Sequence, residues 1–176
     1  MPYLIAAVVL VGAIAVLNLL LTMAVIRRLR RNEANMPGMP MMDTGPAAGS
    51  PLPEFTASST AGDDVSNESF TGSAGIAAFF STTCSACKPA IPQLVDHIEK
   101  AGFTPQQALV VIAGEGDERA EFTAMFDGKA TVVTEGELDK VATAFSISAF
   151  PSFVHFDESG VVTRSHSGSG TLSEAV

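Results

Sequence analysis

The chain has 176 residues and a formal net charge of −9, enough for one domain with a real core plus an appendage. The charge is unevenly spread: from residue 51 onward there are six basic and seventeen acidic side chains, a net of −11, which argues against nucleic-acid binding by that part. Two cysteines cannot build a disulfide scaffold, and no second CxxC exists to complete a four-cysteine zinc site.

Residues Tyr3 to Ile26 run without a charge. As a helix of about 1.5 Å per residue they would span about 36 Å, enough to cross a hydrocarbon core of about 30 Å with some tilt. No face of that helix is polar, and the apolar run is too long, with no basic residue before it, for a cleavable signal. We therefore expect a transmembrane anchor over residues 1–28, in contact with the bilayer through residues 3–26. Arg27, Arg28, Arg30 and Arg31 follow it and would either face the cytoplasm or meet anionic headgroups. Residues 32–53 carry five prolines, three glycines and no periodicity, which reads as a flexible linker. The basic juxtamembrane segment and linker thus occupy residues 29–53. Met36, Met39, Met41 and Met42 are soft enough for Cu(I), although an apolar linker explains them as well.

From Glu54 to the end a folded domain is expected, residues 54–176. EFTAS and a short element near DVSN read as edge strands. Gly75–Ser81 (GIAAFFS) is an apolar run of strand length, the mark of a strand buried on both faces. A helix is predicted from about Ser85 to Ala101, with Ile91, Leu94, Val95 and Ile98 on one face and a stop at Gly102. Ala108–Gly114 reads as a second buried strand. An amphipathic helix (DERAEFTAMF), a short strand (ATVVT) and a further helix (ELDKVATAFSI) follow. SFVHFD and VVTRSH read as a hairpin turning at Glu158–Ser159–Gly160. The order β-α-β-α-β-α-β-β combines parallel crossovers with a final antiparallel hairpin, an α/β class with a mixed central sheet. The last residues, SGSGTLSEAV, look like the cap and first turn of one more helix, either a stub or cut short.

The cysteines, Cys84 and Cys87, fall between a buried strand and a helix. Unpaired N–H groups and the partial positive charge at a helix N-terminus favour a thiolate. A two-residue loop between them makes a bridge labile and suited to exchange. Lys88 adds a nearby positive charge, and Pro92 should kink the helix. Phe150–Pro151 precedes the SFVHFD strand, where a proline marks either a strand start or a cis bond.

Together FFSTTCSACKPAIPQL and ISAFPSFVHFDESG resemble the thioredoxin fold. The tether and the leading segment are similar to membrane-anchored thioredoxin-like thiol–disulfide oxidoreductases of the TlpA/ResA class, in layout nearest to the MauD family of methylamine utilisation. The resemblance covers residues 51–170. It implies Cys84 as attacking thiol, Cys87 as resolving thiol and Pro151 as the cis proline beside them, with Lys88, Pro92 and Phe150 in support. It implies protein disulfide or dithiol substrates, an upstream electron donor and no cofactor. The chain lacks the Trp before the first cysteine and the buried acid in the preceding strand, so the proton acceptor for Cys87 is open between water and Glu121. The arginines point the domain to the cytoplasm and the resemblance to the outside of a cell membrane; the balance tips to the outside.

Two rival chemistries share parts of this pattern. A peroxiredoxin-like peroxidase needs a Pro and a Thr before its cysteine and an Arg nearby; Thr82 and Thr83 are present without the others. A copper-binding module would join Cys84 and Cys87 to one of His97, His155 or His166, each of which reads more simply as an ordinary helix or strand residue. The acidic run GEGDERAE reads as a solvated helix start.

Overall fold

The computed structural model describes residues 45–135 and 140–168, together with Gly12 and Leu172. The expected anchor, the arginines, the methionines and the final helix turn lie outside these residues, apart from Gly12 and Leu172. Among the described residues no helix is long and apolar enough to cross a membrane.

Among the described residues seven strands and three helices form in the expected order. They are β1 (Thr56–Ser58), β2 (Asp64–Ser66), β3 (Gly75–Ser81), α1 (Cys87–Ala101), β4 (Ala108–Ala113), α2 (Gly116–Ala124), β5 (Thr131–Glu135), α3 (Lys140–Ala144), β6 (Ser152–Phe156) and β7 (Val162–Ser167), with short 3-10 turns at Asn67–Phe70 and Pro105–Gln107. The main sheet has the order β5-β4-β3-β6-β7. β3, β4 and β5 are parallel, and β6 and β7 run antiparallel to their neighbours. β1 and β2 form a separate two-stranded ribbon. The mixed sheet with helices on both faces is a thioredoxin-like α/β fold.

β3 and β4 are buried at every position because helices or loops cover both faces. One face carries Ile76, Ala78, Phe80, Val110, Ile112 and Phe153 beneath Ile91, Leu94 and Ile98 of α1 and Phe122 of α2. The other carries Ala77, Phe79, Leu109, Val111 and Val154 against Val141 and Phe145, with Phe55 and Phe70 from the N-terminal ribbon. α1 stops at Gly102, whose φ of 67° is the left-handed conformation glycine adopts without a Cβ clash.

Residues 45–53, which composition places in the flexible linker, lie docked along β7. Gly49 N–H donates to Val162 O at 2.7 Å, Val162 N–H to Ser50 O at 2.8 Å, and Leu52 N–H to Gly160 O at 2.8 Å. Ser165 Oγ donates to Pro46 O at 2.6 Å, and Leu52 is buried. This strap satisfies part of an otherwise open sheet edge.

Candidate active site

β3 and β4 are parallel, so their C-terminal ends share one rim of the sheet. There the chain leaves β3 through two successive turns: Cys84 N–H donates to Ser81 O, and Cys87 N–H donates to Cys84 O, each at 3.1 Å. α1 begins at Cys87, two residues later than the pattern suggests, because these turns use up Ser85 and Ala86 and Ala86 offers no side-chain cap. Cys84 is therefore in the turn ahead of the helix, and Cys87 is its first residue.

The two thiols are free and differently placed. Cys84 is half-buried, and its Sγ donates to the carbonyl oxygen of Phe150 at 3.3 Å. Cys87 is fully buried beneath the loop, and its Sγ accepts from Ser81 N–H at 3.5 Å. Burial pushes the Cys87 thiol up from its ordinary 9.0 to about 12; the Ser81 N–H opposes this, and the neighbouring Cys84 thiol adds to it.

The Phe150–Pro151 peptide bond is cis, and Phe150 O faces Cys84, accepting a hydrogen bond from its thiol. Phe150 packs between the two cores, and Pro151 O accepts from Gly168 N–H at 2.9 Å, which ties this segment to the end of β7. Cys84, Cys87, Phe150 and Pro151 thus share one site. Lys88 points to solvent and pairs with Glu121 at 2.7 Å. The Glu121 carboxylate is engaged there, and it is not among the groups that shift Cys87. Pro92 sits in the second turn of α1, exposed, and has no N–H to return to Lys88 O.

Sequence reasoning missed Ser81, whose N–H donates to Cys87 Sγ; its signal is that a polar residue ends the apolar β3 run. It also missed the Thr82–Gly114 contact that locks the loop against β4. Thr82 N–H donates to Ala113 O at 3.0 Å, and a Cβ at Gly114 would collide with Thr82 Oγ1. The three histidines do not join the cysteines; they gather with one another on α1, β6 and β7.

Fold and site together define a thioredoxin-like scaffold presenting one accessible and one buried thiol of a CxxC. No protein-family model matches the chain, and no curated protein sequence matches it. Solved structures do. The thioredoxin domain of a thiol-disulfide oxidoreductase from Bacteroides vulgatus is 21% identical, with a TM-score of 0.60, over 73% of this chain and 94% of that one. A thioredoxin-family thiol:disulfide interchange protein from Chlorobium tepidum is 21% identical, with a TM-score of 0.56, over 73% and 92%. A thio-disulfide isomerase from Thermus thermophilus is 21% identical, with a TM-score of 0.56, over 70% and 87%. At this identity the likeness establishes the fold.

Proposed function

We propose that the protein is a membrane-tethered thiol–disulfide oxidoreductase that reduces or isomerises disulfides in protein partners outside the cell membrane. The observation that carries this reading is the asymmetry of the dithiol: Cys84 reaches the surface, and Cys87 lies buried behind it. The Cys84 thiolate attacks a partner disulfide, forming a mixed disulfide and expelling one partner thiolate. Cys87, after losing its proton, attacks the Cys84 sulfur and expels the second partner thiolate. Two electrons and two protons pass to the partner, and the Cys84–Cys87 bridge remains. An upstream dithiol donor then restores the reduced form. The structural neighbours named as thiol–disulfide oxidoreductases support the chemistry, and the charge-free run of residues 3–26 supports the tether.

Trapping tests this. Cys87→Ser should accumulate a covalent complex with a disulfide-bonded protein substrate, while Cys84→Ser should neither trap nor reduce it. Retained reduction by Cys84→Ser would overturn the reading.

A further inference from the structure

All three histidines of the chain meet on the sheet face covered by α1. His155 of β6 is central. Its ring lies 5.7 Å from that of His97 on α1, nearly perpendicular, and 5.6 Å from that of His166 on β7, nearly parallel. His166 is 0% exposed, and among the described residues neither of its ring nitrogens has a hydrogen-bond partner; His155 Nε2 has none there either. A neutral imidazole always carries one donor and one acceptor, so these rings are held at a cost that an apolar pair would not incur. Among the described residues no group of three His, Cys, Asp or Glu is placed to hold a metal ion, and the rings form a row in place of a converging set.

The surroundings disfavour positive charge. Arg164 of β7 lies opposite His155 in the strand register. On α1 the charged neighbours are Asp96, next to His97, and Lys100, which pairs with Asp96 at 2.7 Å. Asp157, past the end of β6, is occupied by the N–H groups of Ser159 and Val161. β3 and the strap over residues 45–51 carry no charged side chain. Burial, reinforced by Arg164 and the other rings, holds His155 and His166 down at about 4, and burial lowers His97 against the pull of Asp96.

We propose that the row His97–His155–His166 is an acid-released latch at the edge of the sheet, which detaches β7 when its rings charge and thereby loosens the Phe150–Pro151 segment over Cys84. β7 is the strand that can yield: it is the last strand of the sheet order, and among the described residues its backbone pairs with β6 on one side and the strap on the other. Its end donates Gly168 N–H to Pro151 O, and Phe150 O in turn receives the Cys84 thiol. Peeling β7 wets His155 and His166 and breaks the tie to the active-site segment in one movement. Exposed rings regain an ordinary value of 6.5, so opening takes up protons. Each ring that charges favours the open form by about tenfold per pH unit as pH falls below 6.5, and the effect is complete below about 4. The latch rests on the fold alone; its bearing on exchange rests on the oxidoreductase reading.

Amide hydrogen–deuterium exchange on the full chain in detergent, corrected for intrinsic rates, tests the latch without using activity. Between about pH 7.5 and about pH 4.5, protection of residues 162–168 should fall at least about tenfold more than that of β3 and β4. The double variant His155→Leu, His166→Leu should lose this difference. If that variant does not fold, imidazole NMR of the unmodified protein replaces it: both rings should stay neutral until β7 protection is lost. Uniform loss across all strands, persistence of the selective loss in the leucine variant, or charging of either ring near pH 6.5 with β7 still protected would each overturn the proposal.

Discussion

The resolving step should be limited by the proton on Cys87. Its thiol is fully buried and pushed up to about 12 from an ordinary 9.0. That displacement corresponds to about 4 kcal/mol against the thiolate. At neutral pH only about one molecule in 10⁵ would carry the ionised group. The leading cause, burial, persists after Cys84 has joined a partner, while the contributions of the Cys84 thiol itself vanish. In the mixed disulfide Cys87 should therefore still titrate above 9.0. The assay loads Cys84 with a chromogenic aromatic thiol as a mixed disulfide and follows its release by stopped-flow across pH. The rate should climb about tenfold per pH unit through about pH 9 without levelling, since only the thiolate attacks. A plateau at or below about pH 9 would refute the reasoning, because it would mean that Cys87 ionises like an exposed thiol.

Three further outcomes are expected. Gly114→Ala forces a side chain onto a backbone with φ of 126° and into Thr82, so thermal unfolding should show a loss of about 2–4 kcal/mol and slower exchange at Cys84. Lys88→Ala removes a solvent-exposed ion pair with Glu121, and the unfolding free energy from denaturant titration should change by less than about 1 kcal/mol. Side-specific labelling with an impermeant reductant and maleimide should reach Cys84 in intact cells; labelling only after lysis would place the domain in the cytoplasm and remove the exported-protein role.

The strands that hold the site were legible because burial on both faces leaves an unbroken apolar run, and β3 occupies the residues expected of it. The cysteine pair was legible from its position between that run and an amphipathic helix. Other features depend on what composition does not encode. Residues 45–53 look like linker because Gly, Pro and Ala carry no periodicity, yet backbone hydrogen bonds to β7 order them. Glu121 could be placed near the CxxC by its helix, but its pairing with Lys88 is decided by how α1 and α2 lie together. The histidine row was invisible for a similar reason. Each histidine sits alone in its own element, and they meet only once Phe153 is in register with His166 and α1 crosses β6.

The strand before the cysteines has Ala78 on the face where Cys87 is buried, and no carboxylate is among the groups that move the Cys87 thiol. With no internal base among the described residues, the Cys87 proton goes to water or to the departing partner. On the proposed reading this lengthens the life of the mixed disulfide relative to its formation. A long-lived mixed disulfide suits a tethered enzyme with few partners better than a bulk reductant, because dwell time lets a correctly docked partner be resolved while a poorly docked one reverses. Installing an acid at Ala78 separates the two demands. If Ala78→Asp folds, it should flatten the pH dependence of chromophore release below about pH 9 by supplying a nearby acceptor. An unchanged profile in the folded variant would mean that the proton leaves by another route and that dwell time is not set at Cys87.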